Sequence, residues 1–127
     1  MAQRLLLDTD VVIDYSKGQP QAVAFFGTMT DRAVISAVTV AEMFAGVRDG
    51  KERDELNRFV AESLVIAVDA RIAETGGLFL REYVKTHGVG FADAMIAATA
   101  LIERTRLVTL NEKHFPMLHD LLVPYKK

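Results

Sequence analysis

An α/β domain on a largely parallel sheet is the fold class this sequence predicts. Short, continuous apolar runs, of the kind buried on both faces of such a sheet, recur along the chain. Between them lie segments with helical spacing, and strands alternating with helices imply parallel pairing. The chain has no internal repeat, low-complexity stretch or linker, and its prolines stand at positions 20, 116 and 124. Residues 1–127 therefore read as one domain, long enough to bury a single core.

The elements follow in order. Leu5–Leu7 is the first strand, ended by Asp8. Val11–Tyr15 reads as a short helix with Asp10 as its N-cap, broken by Lys17-Gly18. Pro20 suits the first turn of a helix running to about Thr28. Ala33–Ser36 is the next strand. Thr39–Val47 has helical spacing, and Thr39-Val40-Ala41-Glu42 fits a capping box. A charged helix over Glu52–Ser63 puts Leu56, Phe59 and Val60 on one face. Leu64–Val68 is strand-like. Ala70–Thr86 is a longer helix with a stripe of Ile72, Gly76, Phe79 and Tyr83, in which Gly76-Gly77 implies either close packing or a kink. Gly88 and Gly90 frame a loop. Asp93–Arg104 is apolar nearly all round and so reads as a buried helix. Leu107–Leu110 and Leu121–Val123 are the last strands.

Composition excludes several classes. Half the residues are apolar and a quarter charged, which excludes global disorder. Fifteen basic and 17 acidic side chains give −2, so no strong net field points at nucleic acid, membrane or an acidic partner. The absence of cysteine excludes disulfides and thiolate zinc sites. No apolar run approaches the roughly 20 residues of a membrane span, and the run ending at Asp8 is too short for a secretory signal. A soluble, cytoplasmic protein is expected.

Three acids stand in unusually apolar settings: Asp8 after Leu-Leu-Leu, Glu42 in Val-Ala-Glu-Met-Phe-Ala, and Asp93 in Phe-Ala-Asp-Ala-Met-Ile-Ala-Ala. A carboxylate is rarely buried unless paired or bound to a cation. Each has a local alternative, since Asp8 and Asp93 could cap helices and Glu42 could close the capping box. Ligands of parallel α/β sheets sit beyond the carboxyl ends of the strands, where Asp8 stands and Asn111 follows. If the three acids meet there, like charges at about 4 Å repel by about 4 kcal/mol at an effective dielectric near 20. Few basic residues neighbour them in sequence. A hard divalent ion with oxygen ligands relieves the repulsion, and such a site suits phosphoester hydrolysis by a metal-activated water. Without these acids the net charge of −2 becomes +1. Residues 104–127 carry Arg104, Arg106, Lys113, Lys126 and Lys127 against Glu112 and Asp120, a local +3 that either helps hold a polyanion or is ordinary solvated surface.

Other candidates are weaker. His87, His114 and His119 lack a helical i, i+4 pair, and Lys113-His114-Phe115 reads as a loop anchor with Phe115 inward. Ser16, Ser36 and Ser63 lack a nucleophile-elbow context, and no glycine-rich phosphate loop follows the first strand.

In four blocks the chain resembles the PIN-domain ribonucleases of the kind that form the VapC toxin of VapBC toxin–antitoxin pairs. The blocks are Leu6-Leu7-Asp8-Thr9-Asp10, then Ser36 through Glu42 to Gly46, then Ala92-Asp93 through Ala100, and Leu107-Val108-Thr109-Leu110-Asn111 followed by His114-Phe115. Their order and spacing cover essentially the whole chain. The resemblance implies a three-layer PIN-like fold with a mainly parallel five-stranded sheet flanked by helices. It implies an Mg²⁺- or Mn²⁺-dependent endoribonuclease acting as a toxin, with Asp8, Glu42 and Asp93 catalytic. Asp8 and Asp93 are then the direct metal contacts, Glu42 holds a metal-bound water or a second ion, and Thr9 and Asn111 are supporting polar groups. Many relatives carry aspartate where this chain has Asn111, so a second, tightly held metal is not expected, and the protein without RNA should hold one ordered metal or none. The resemblance also implies an RNA substrate, a homodimer, a VapB-like antitoxin that wraps the toxin, and no membrane.

Two rivals remain on the sequence. Leu7-Asp8-Thr9-Asp10 also resembles the first motif of haloacid-dehalogenase-like phosphatases, but no late acidic pair follows and Glu42 is left without a role. A degenerate PIN-like module that binds without catalysis is the other.

Overall fold

The computed structural model describes residues 3–127. Within them five strands, β1 (Leu5–Leu7), β2 (Val34–Ser36), β3 (Leu64–Ile66), β4 (Arg106–Val108) and β5 (Leu121–Leu122), form one sheet in the order β3-β2-β1-β4-β5. Every pairing is parallel. Helices α1 (Thr9–Ser16), α2 (Pro20–Gly27), α3 (Ala37–Gly46), α4 (Lys51–Glu62), α5 (Ala70–His87) and α6 (Phe91–Ile102) cover its faces, and a 3-10 turn spans Glu112–His114.

The three layers follow from strand alternation. Leu6 and Leu107 point to one face, where they pack with Ile96, Ala97 and Phe115. Leu7 and Val108 point to the other, where they meet Val11, Val12 and Ile35. Helix α6 is buried along most of its length, as its all-round apolar sequence predicts. It packs on α5 at Gly76, where an added Cβ would lie 2.5 Å from Met95 Cε and 3.3 Å from the Ala94 carbonyl. Helix α5 runs unbroken through this point, so close packing, not a kink, accounts for the glycine. The α5–α6 link turns at Gly88, whose φ of 63° suits the residue without a Cβ. No helix among the described residues is long and apolar enough to cross a membrane.

Three helix starts differ from the sequence expectation. Helix α1 begins at Thr9, not Val11, because Asp8 leaves β1 extended and its Oδ1 takes the Thr9 N–H at 2.8 Å. Helix α3 begins at Ala37, not Thr39, because the Ser36 hydroxyl accepts from Val38 N–H at 3.0 Å. Thr39 is therefore a fully buried interior residue, and the capping box does not form. Gly90, not Asp93, precedes α6, which places Asp93 in the first helical turn. Strand β4 also stops two residues early. Thr109 and Leu110 turn instead to donate to acids at the strand edge.

Candidate active site

The register of β1 on β4 builds the site. Leu7 pairs with Val108, so Asp8 and Thr109 emerge side by side at the carboxyl edge of the central strands. The Thr109 hydroxyl donates to Asp8 Oδ2 at 2.8 Å, and the Thr9 N–H donates to Oδ1. Asp8 is only 5% exposed. Burial, followed by the neighbouring Asp10 charge, pushes its carboxyl up to about 7 against the lowering effect of the two hydrogen bonds. Asp93 adds a smaller push in the same direction.

Asp10 also belongs to this edge. Its Oδ2 accepts from Leu110 N–H at 3.0 Å and its Oδ1 from Val11 N–H at 2.7 Å, so it ties α1 to the turn after β4. Desolvation raises its pKa in spite of these bonds. Glu42 reaches the same edge from α3, where the Thr9 hydroxyl donates to its Oε1 at 2.6 Å. Thr9 also lies 2.9 Å from the Thr39 hydroxyl, so one buried threonine links α1 to two residues one turn apart on α3.

Asp93 enters from the first turn of α6. Its Oδ2 lies 3.0 Å from His114 Nδ1, and Asn111 Nδ2 lies 3.0 Å from the same ring nitrogen. Desolvation raises the Asp93 pKa, His114 opposes that, and Glu42 and Asp10 add to it. The Asn111 side chain thus lies against His114 and makes no cap to the 3-10 turn that follows it.

Thus Asp8, Thr9, Glu42 and Asp93 converge at one edge, with Asn111 beside them through His114. Sequence reasoning missed four participants. In the sequence Asp10 reads as a helix cap, and His114 as part of a loop anchor. Thr39 reads in sequence as the cap of a capping box, and Thr109 carries no signal of its own, although it stands one residue past β4 just as Asp8 stands one residue past β1. Phe115 is buried, as expected.

Asp8, Asp10 and Glu42 pair with no Lys or Arg among the described residues, and Asp93 pairs with His114 alone. Nor do any three His, Asp or Glu side chains among these residues form a ready-made ligand cage. Each acid has a polar partner of its own: Asp8 has Thr109, Glu42 has Thr9 and Asp93 has His114. The donor set is all carboxylate oxygen, from buried Asp8, half-buried Asp93 and exposed Glu42. That chemistry fits a hard divalent cation, and Mg²⁺ commonly takes only one or two protein carboxylates and keeps its waters.

A family model described as "PIN domain" matches residues 5–117. Among curated relatives, ribonuclease VapC19 of Mycobacterium tuberculosis is 34% identical over 94% of this chain and 98% of its own. Ribonuclease VapC10 of the same organism is 35% identical over 95% of this chain and 92% of its own. Among solved structures, a toxin–antitoxin complex from Klebsiella pneumoniae superposes with a TM-score of 0.84 at 25% identity, covering 97% of this chain and 99% of the other. FitAcB from Neisseria gonorrhoeae superposes with a TM-score of 0.70 at 28% identity, over 94% and 97%.

Proposed function

The chain belongs to the PIN-domain family and is of the VapC kind, and from that footing we propose that it is an Mg²⁺- or Mn²⁺-dependent endoribonuclease serving as the toxin of a toxin–antitoxin pair. The observation that carries the proposal is Asp8, a buried carboxylate pushed up to about 7 among like charges. A fold keeps such a group where a cation or a reacting proton repays the burial.

Asp8 and Asp93 are the residues that would hold the cation. When bound, it supplies the positive charge that makes water acidic and offsets charge on the phosphate. The chain does the rest. Thr109 and Thr9 fix both Asp8 oxygens, and His114 fixes Asp93. Glu42, restrained by Thr9, orients the attacking water. Water attacks phosphorus as the bond to the 3′-oxygen breaks, and the departing oxygen takes up a proton. The RNA 2′-hydroxyl takes no part, so the products carry 5′-phosphate and 3′-hydroxyl ends.

The test is an end-group assay on cellular RNA with purified, antitoxin-free protein. Cleavage is expected with Mn²⁺ or Mg²⁺ and not in EDTA. Asp8→Asn and Asp93→Asn should each reduce it to background while the far-ultraviolet circular dichroism stays unchanged. Products ending in 2′,3′-cyclic phosphate would overturn the mechanism. Failure to cleave with any divalent ion would favour a binding module instead. The family match leaves the phosphatase reading without support. One solved neighbour is a toxin–antitoxin complex, and by analogy we propose an antitoxin partner for this chain; the homodimer is proposed on the family resemblance alone.

A further inference from the structure

The segment after β5 leaves the sheet at the same carboxyl edge. The Thr109 N–H donates to the Leu122 carbonyl at 3.0 Å, so the chain departs beside the threonine that holds Asp8. It then crosses to α1 and meets Asp14, one helical turn past Asp10. Asp14 is 7% exposed, and the proposed reaction does not use it. Tyr125 Oη donates to its Oδ2 and Lys127 Nζ to its Oδ1, each at 2.9 Å. Asp10 also acts on Tyr125, adding to the upward push that burial and Asp14 give its hydroxyl. Tyr125 is thus within the field of the acidic edge, and Lys127 shares its anchor.

Among the five basic residues of the 104–127 stretch, Arg106 is engaged with Asp120 at 3.2 Å on the sheet edge. Lys127 differs, because a buried carboxylate positions it while more than half of its side chain stays exposed. An ammonium has three donors and Asp14 takes one, which leaves two for an incoming anion. A polyanion approaching an edge built from Asp8, Asp10, Glu42 and Asp93 needs a fixed cation on its path.

We propose that Lys127, positioned by Asp14 and Tyr125, binds a phosphate of the RNA next to the one that is cut. This rests on the nuclease reading above. Lys127 is a binding residue, and Asp14 and Tyr125 position it.

The test follows cleavage of a mixed-sequence single-stranded RNA oligonucleotide in Mn²⁺ across a salt series. Lys127→Ala should raise KM and leave kcat within about twofold, as expected for a contact to a non-reacting phosphate. It should also flatten the dependence of log kcat/KM on log salt by about 0.7, the share of one single-strand phosphate. The gap between wild type and Lys127→Ala then narrows about 2.6-fold between 50 and 200 mM salt. Lys127→Arg should restore the slope, and Lys126→Ala, which removes the same charge from the neighbouring position, should leave it unchanged. A wild-type slope and KM in Lys127→Ala would overturn the proposal, as would an equal effect from Lys126→Ala, which would mark a diffuse field. Anisotropy of the same labelled oligonucleotide in metal-free buffer reads the contact without cleavage. If wild type binds through Lys127 and cleaves nothing, the nuclease reading falls and the contact stands.

Discussion

Asp8 helps start α1 and also carries a charge that the fold makes hard to keep. Its unfolded value lies near 3.8 and its folded value near 7. A carboxyl raised on folding stabilises the native state while protonated, and that contribution is lost as pH rises from about 4 to about 7. At pH 8 without metal, ionised Asp8 is therefore a burden of at most about 4 kcal/mol. Asp8→Asn should remove it. The amide can still take the Thr9 N–H on Oδ1 and offer Nδ2 to the Thr109 hydroxyl, which can turn to accept. Metal-free Asp8→Asn is expected to melt above wild type at pH 8, with the gap closing as pH falls towards 5. Added Mn²⁺ should stabilise wild type and leave the variant unmoved. Superimposable melting curves across this range would show that Asp8 bears no such burden. At this scale the three central acids were legible because each interrupts an apolar run. Asp10 and His114 were not, since their roles depend on partners far along the chain: Leu110 for Asp10, and Asp93 for His114.

Helices α5 and α6 meet through one of two adjacent glycines, which gives a contrast in sign. At Gly76 an added Cβ meets Met95 at 2.5 and 2.8 Å and the Ala94 carbonyl at 3.3 Å. The methionine end is flexible, but Met95 is buried and the backbone behind it is fixed. Gly76→Ala should therefore destabilise by about 1–2 kcal/mol, overpacking outweighing the gain in helix propensity. Gly77 has nothing within 4 Å of such a Cβ, so Gly77→Ala should stabilise by about 0.5–1 kcal/mol. Urea denaturation of the two variants measures both, and equal shifts would mean that the interface yields freely. The elements themselves were legible in kind and order because apolar runs and helical spacing are local signals. Their starts were less so. Ser36 and Thr39 both look like caps in sequence, and only the extended backbone at the end of β2 selects Ser36. Likewise Asp8 wins over Asp10 because β1 ends at Leu7 and the helix can begin at once.

At the scale of the whole molecule, four of the 17 acids, Asp8, Asp10, Glu42 and Asp93, stand at the one sheet edge proposed to meet RNA. With them set aside, the net charge of −2 becomes +2. The strand order β3-β2-β1-β4-β5 creates that edge by placing β1 between strands that come later in the chain. Local patterning shows that strands and helices alternate, but it carries no record of this order, so the meeting of Asp8 with Thr109 waits on the fold. An edge of this kind, active on cellular RNA, would be harmful when unrestrained. Tightly induced expression of the chain alone in a bacterial host is therefore expected to arrest growth, and co-expression of an adjacently encoded antitoxin should relieve the arrest. Asp93→Asn should express to the same level and leave growth untouched, which separates catalysis from the burden of expression. Arrest by wild type and Asp93→Asn alike would place the toxicity outside this edge. Equal growth with and without inducer, once soluble wild-type protein is confirmed, would remove the toxin role while leaving the metal-dependent cleavage assay to stand on its own result.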